Sequence, residues 1–216
     1  IRNEIYKDNK FIGKGDLFTD EIINHKIDKA KDNISIELDK FIENTLDYAK
    51  KEKDIILNGI FFPLIQTPIR GKQVVVVVRG KNYKEDLSIL QSYIKEEKPV
   101  LIGVDGGADA LLEFGYKPNI IVGDMDSVSD YALKNCDEII VHAYTDGTAP
   151  GMERINALNL TALTIPAPGT SEDIAMLLAY EKGADLIIAL GSHSNMIDFL
   201  EKGRKGMAST FLVRLK

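Results

Sequence analysis

The stretch Asn119-Ile120-Ile121-Val122-Gly123-Asp124-Met125-Asp126-Ser127 decides the fold. Its unbroken β-branched run reads as a strand buried on both faces, the signature of a parallel sheet covered by helices. The strand stops at a glycine and two carboxylates spaced i, i+2. In open α/β sheets, ligands bind in the crevice beyond the carboxyl ends of the strands. Asp124 and Asp126 with Ser127 therefore offer oxygen ligands for a hard cation such as Mg²⁺, which also takes water and phosphate oxygens. The same residues fit an ordinary strand-to-helix turn in which Asp126 or Ser127 caps the next helix.

A second strand repeats the arrangement. Pro99-Val100-Leu101-Ile102-Gly103-Val104 runs into Asp105-Gly106-Gly107-Ala108-Asp109, followed by a helical pattern. Gly106 and Gly107 would let backbone amides approach an anion at a helix N-terminus; a tight turn needing positive φ would use them equally well. Two acid-tipped strands in succession point to a site more firmly than either alone.

Working outward, residues 72–216 alternate strand and helix. Strands are expected at Gln73–Val78, Val100–Val104, Ile120–Val122, Glu138–Val141, Ala162–Ile165 and Leu186–Leu190. Helices are expected at 84–97, 107–115, 129–135, 152–158, 171–182, 195–202 and 206–215. The fold class is thus α/β, doubly wound, with a mostly parallel sheet. Before it, residues 1–18 read as a hairpin, 19–58 as a long helical connector or dimer arm, and 59–71 as a linker ended by Pro68 to Gly71. Along the arm, Ile23, Ile27, Ala30, Ile34, Leu38, Phe41, Thr45 and Ala49 recur at steps of three or four. An unbroken helix there would extend about 55 Å, which suits a homodimer arm, two helices with a bend, or a helix packed on its own domain.

Reading the strand ends around one rim gathers Arg79-Gly80-Lys81, Asp105-Gly106-Gly107, Asp124, Asp126, Ser127, Asp146-Gly147, Gly169-Thr170-Ser171 and Gly191-Ser192-His193. Arg79 and Lys81 would balance phosphate charge. Gly80, Gly106, Gly107, Ser127, Gly169, Thr170, Ser171, Gly191 and His193 are the phosphate-cradle candidates. Asp173 is a fourth metal candidate, although N-capping by Thr170 or Ser171 explains that segment by itself. The loop 142–151 is rich in turn residues and sits where recognition loops sit. No Walker loop and no dinucleotide fingerprint is present.

Composition excludes other classes. The 216 residues carry a formal net charge of −6 and no basic stripe, which argues against a nucleic-acid surface. Single Cys136 permits no internal disulfide, fits a reducing compartment and reads as incidental rather than nucleophilic. His25, His142 and His193 are too scattered for zinc spacing. No stretch reaches the ~18 apolar residues of a membrane span. The chain begins at Ile1 with no signal-like sequence, which reads as a piece of something longer.

Asp105-Gly106-Gly107-Ala108, Gly115-Tyr116-Lys117-Pro118-Asn119 and Gly123-Asp124-Met125-Asp126-Ser127 resemble the thiamine pyrophosphokinase catalytic domain. The resemblance implies pyrophosphoryl transfer from ATP with Mg²⁺, with Asp105, Asp124 and Asp126 as catalytic, metal-holding acids. The runs Val78-Arg79-Gly80, Leu101 to Leu112, Gly123 to Asp130, Gly169 to Leu177 and Gly206 to Phe211 resemble the SteA family of bacterial cytokinetic ring proteins over nearly the whole chain. That resemblance implies a cytoplasmic kinase-like domain of a cell-division or envelope protein, anchored through C-terminal membrane helices outside this chain, with a partner in that machinery. Pro168 and Thr170 stand where the pyrophosphokinases place an Asp-x-Asp pair, and Asp198-Phe199 where they place Asp-His. The combined expectation is a regulatory domain that binds a phosphorylated ligand or nucleotide with Mg²⁺ and is catalytically degenerate; the alternative is an active ATP-dependent thiamine pyrophosphokinase or related transferase.

Overall fold

The computed structural model describes residues 4–8, 10–14, 19–51, 53 and 59–192. The chain divides into two compact units, Ile1–Glu43 and Asn44–Lys216. In the first, strands β1 (Glu4–Lys7) and β2 (Lys10–Lys14) pair antiparallel. Helix α1 (Asp20–Lys51) starts after Thr19, whose hydroxyl accepts the amide of Ile22. At 32 residues it rises about 48 Å. Ile23, Ile27 and Ile34 along it are 40–45% exposed.

The second unit contains one six-stranded sheet. Its strands are β3 (Gln73–Val78), β4 (Val100–Val104), β5 (Ile120–Gly123), β6 (Glu138–Ala143), β7 (Leu163–Pro166) and β8 (Leu186–Leu190). Their order is β7-β6-β5-β4-β3-β8 and every pairing is parallel. The chain steps strand by strand from β3 to β7, then crosses back to lay β8 on the far side of β3. Val74 to Val77 are fully buried, as are Ile120 to Val122, which is why these strands read as continuous apolar runs rather than alternating ones. Pro166 ends β7, an edge strand, where a missing N–H costs no ladder bond on the open side.

Helices cover both faces. Between β3 and β4 lie α2 (Tyr83–Ile89) and α3 (Gln91–Glu97), where the sequence predicts one continuous helix; Leu90 breaks it, capping α2 by its N–H to the Asp86 carbonyl. Helices α4 (Gly107–Glu113), α5 (Asp130–Lys134) and α6 (Gly151–Ala157) follow β4, β5 and β6. These bury Ala108, Leu111, Leu133 and Ile155 against the outward side chains of β3 to β6. Helix α7 (Ser171–Glu181) closes the return crossover and packs Ile174, Ala175, Leu178 and Ala179 against Val76, Ile102, Val122 and Ile140 on the opposite face. Ile60, Phe62 and Ile65 join that second core. Glu138 at the start of β6 accepts the amides of Gln66 and Thr67 and the Thr67 hydroxyl, which straps this segment to the sheet. The helices expected at 195–202 and 206–215 lie outside the described residues. Among the described residues, no helix is long and apolar enough to cross a membrane.

Candidate functional site

Parallel strands deliver their carboxyl ends to one rim, and a cavity of about 630 Å³ opens there. From the acid-tipped strands come Asp105, Gly106, Asp124, Asp126 and Ser127, with Val78 and Arg79 from the end of β3. Facing them are His142 to Thr145 and Pro150, then Ala167 to Glu172. The volume is that of an ordinary small-ligand pocket.

The two acid loops are fastened to each other. Asp105 follows β4 at φ 47°, and its N–H donates to the Val122 carbonyl. Its Oδ1 accepts the N–H of Met125 at 3.1 Å. Met125 lies at φ 69°, a left-handed conformation rare for a long side chain and costing on the order of 1–3 kcal/mol. Three contacts hold it there. The thioether is fully buried among Ile121, Val141 and Ile155, the amide is on Asp105, and the carbonyl accepts the Arg154 guanidinium. Arg154 in turn forms an ion pair with Asp130. Because Met125 turns inward, Asp124 and Asp126 on either side of it are exposed at the cleft. Asp124 Oδ1 accepts the Asp126 amide at 3.0 Å, which sets the two carboxylates in one turn.

Gly123 explains why a glycine precedes the acids: a Cβ there would overlap the Asp105 carboxylate. Gly106 lies under Arg79, whose Cδ a Cβ would meet at 3.2 Å. Arg79 reaches across to Glu113 at 3.3 Å and stacks near Tyr83 at 5.8 Å, and Tyr83 and Glu113 help raise the guanidinium pKa.

The remaining expected site residues lie in differing surroundings. Gly107 does not line the cavity; a Cβ would strike the Val77 carbonyl, so this glycine lets α4 lie directly on β3. Gly80 and Gly191 face each other at the ends of β3 and β8, each lacking room for a side chain against the other strand's backbone. Lys81 is exposed outside the lining. Asp173 is fully buried and completes a capping box with Thr170, accepting its N–H at 3.2 Å and its hydroxyl at 2.9 Å. His193 lies outside the described residues. Gly169, Thr170 and Ser171 do line the cleft, and so does the 142–145 part of the expected recognition loop.

Sequence reasoning did not single out His142, Arg154, Glu172 or Asp109 for the site. Asp109 accepts both the amide and the hydroxyl of Ser129, the cap of α5, so it braces the second acid loop from the first. Glu172, nearly fully buried, accepts the Ser192 hydroxyl at 3.1 Å. Cys136 donates to the Leu133 carbonyl, and burial pushes its thiol up to about 11, as an inert cysteine should be.

Among the described residues, no three His, Cys, Asp or Glu side chains form a ready-made metal cage. The donor set nevertheless fits Mg²⁺, which commonly takes one or two carboxylates and fills its octahedron with water and phosphate oxygens. Asp124 and Asp126 would hold it, two exposed oxygen donors beside the cavity.

The family profile "Thiamin pyrophosphokinase, catalytic domain" matches residues 90–147, from α3 through the end of β6 into the loop beyond, and so includes both acid loops. A 6-hydroxymethyl-7,8-dihydropterin pyrophosphokinase of Methanocaldococcus jannaschii is 28% identical over 126 residues, 55% of this chain and 50% of the relative. The chain thus spans about half the length of the curated relative it matches. The crystal structure of thiamine pyrophosphokinase from Bacillus subtilis is 27% identical, with 61% of this chain and 52% of that one covered at a TM-score of 0.37. The core of the α/β domain is thiamine-pyrophosphokinase-like.

Proposed function

We propose that the cleft binds a nucleoside di- or triphosphate with Mg²⁺ and that the domain acts as a kinase-like pyrophosphoryl or phosphoryl transferase on a small alcohol. One observation carries this reading. The acids Asp105, Asp124 and Asp126 line a single cavity, and all three fall inside the stretch shared with the pyrophosphokinase catalytic domain. When bound, Mg²⁺ would neutralise phosphate charge, the main requirement of phosphoryl transfer. Asp124 and Asp126 hold the metal. Asp105 orients them through Met125, and Arg79 supplies positive charge at the same mouth. The names of the relatives support pyrophosphoryl transfer to a heterocyclic alcohol such as thiamine or a hydroxymethylpterin, with ATP as the donor that the resemblance implies.

A specific observation favours a second reading, ligand binding without turnover in a cell-division regulator of the SteA type. Pro168 and Thr170 stand where the resemblance places two further carboxylates, and Asp173 is committed to capping α7. Fewer acids would leave binding intact and slow transfer. Incubation with Mg·ATP and thiamine, or Mg·ATP and 6-hydroxymethyl-7,8-dihydropterin, followed by ³¹P NMR, separates the two. AMP and a new diphosphate ester that depend on Asp124 establish the transferase. Nucleotide binding with no product after many hours favours binding without turnover.

A further inference from the structure

His142 lies one residue before the end of β6, beside Pro168 and Ser171 at the cavity wall. Its ring joins the two ends of the segment that links β7 to α7. Nε2 is 2.9 Å from the carbonyl oxygen of Ala167, and Nδ1 is 3.2 Å from the Oγ of Ser171. A carbonyl can only accept, so Nε2 carries the hydrogen. In a neutral imidazole the other nitrogen is then an acceptor, and the hydroxyl of Ser171 must donate to it. Burial of the ring favours the neutral form, against the carboxylates of Asp124 at the end of β5 and Asp173 in α7, which oppose it. A serine has one hydrogen to give. With that hydrogen on His142, Ser171 Oγ shows only lone pairs to the cleft.

We propose that His142 is a positioning residue that fixes Ser171 as a hydrogen-bond acceptor, so that this wall of the cleft receives a hydroxyl or N–H group of the ligand rather than a phosphate oxygen. The inference rests on the proposed ligand-binding role of the cleft. It reverses the assignment that a serine at a helix N-terminus would ordinarily receive. It also divides the cavity: the acid loops and Arg79 form the end for metal and phosphate, and the His142–Ser171 wall forms the end for the group that carries donors.

The polarity can be read without any ligand. Long-range ¹H–¹⁵N spectra of histidine-labelled protein, with His142 assigned by its loss in H142Q, report the tautomer of that ring. At pH 7.5 the expected result is a neutral ring protonated at Nε2, whose Nδ1 resonance moves to the position of a free acceptor in S171A. Thr170 remains to cap α7 in that variant, so the helix keeps its start. A ring protonated at Nδ1, an imidazolium, or an Nδ1 resonance indifferent to S171A overturns the proposal. Adding Mg·ADP to the wild type supplies the second reading. The Nδ1 signal is expected to keep its hydrogen-bonded position; a shift to the free-acceptor position would mean that Ser171 turns its hydrogen to phosphate, and would overturn it. Failure of Mg·ADP to bind at all, measured by calorimetry, counts against the proposed function and leaves the tautomer test to decide this one.

Discussion

The carboxylate of Asp105 accepts the backbone N–H of Met125, and both residues lie at positive φ, 47° and 69°. One hydrogen bond thereby joins the loops after two adjacent strands, each in a conformation that non-glycine residues rarely adopt. A strained turn persists only where its surroundings over-determine it. Here Asp105 holds the amide, Arg154 the carbonyl and the core the side chain. The consequence is functional: with Met125 turned inward, its flanking carboxylates are presented together at the cleft.

Glycines at this rim should differ in what they tolerate. In G107A the new methyl meets the backbone of Val77 and Val78, which cannot swing aside, so the variant should lose about 2–3 kcal/mol or more in urea unfolding. In G123A the nearest atoms it meets are those of the Asp105 carboxylate, a side-chain end that can rotate away. That variant should fold with a loss of about 1 kcal/mol, the worth of the hydrogen bond to Met125, while Mg²⁺-dependent nucleotide binding weakens. Equal stability losses in the two would contradict these assignments.

Arg154 should matter to the ligand although it does not line the cleft. R154M keeps the aliphatic bulk but leaves the Met125 carbonyl without its guanidinium, a loss of about 1–2 kcal/mol. Mg·ADP titrations should show weaker binding in R154M at temperatures where the fold is intact by circular dichroism. Unchanged affinity would sever Arg154 from the acid turn.

The buried imidazole also makes a stability prediction. His142 is held below its ordinary 6.5, so the unfolded chain binds more protons than the folded one once pH falls beneath that value. Stability should be level above about pH 7 and should decline as pH drops through 6.5 towards the lower folded pKa. H142Q should flatten that segment of the curve. A wild-type profile unchanged by the substitution would show that the ring is not buried as a neutral base.

Cys136 should be silent in the native protein. With its thiol pushed up to about 11, little thiolate exists at pH 8. Reaction with Ellman's reagent should be slow in buffer and fast in urea; rapid native labelling would mean that Cys136 is not packed against the core of Leu133, Ile139 and Val141.

Much of this was legible in the sequence because the strands are buried on both faces. Val74–Val78, Val100–Val104 and Ile120–Val122 carry no alternation to confuse, and acids set directly after two of them mark the rim. The pieces that stayed hidden depend on partners distant in the chain. Arg154 carries no signal within the expected helix 152–158, and only the fold brings its guanidinium to the Met125 carbonyl. His142 reads as the start of a loop, whereas β6 carries it to the cavity wall. A glycine in sequence does not say whether it makes room for a ligand or for another strand; Gly80, Gly107 and Gly191 read as phosphate contacts, and the structure adds that each packs closely against backbone. Asp173 carries both a capping and a metal reading in sequence, and the structure shows it buried and hydrogen-bonded in the cap with Thr170.

Asp124 and Asp126 are expected to present Mg²⁺ to a phosphate in this cleft. Isothermal titration with ADP, with and without Mg²⁺, on the wild type and on D124N tests it most directly. Binding should require Mg²⁺ and weaken roughly tenfold or more in D124N, at least about 1.4 kcal/mol, with the unfolding transition unchanged. Binding that ignores both Mg²⁺ and the substitution, or no binding by the wild type at all, would contradict it.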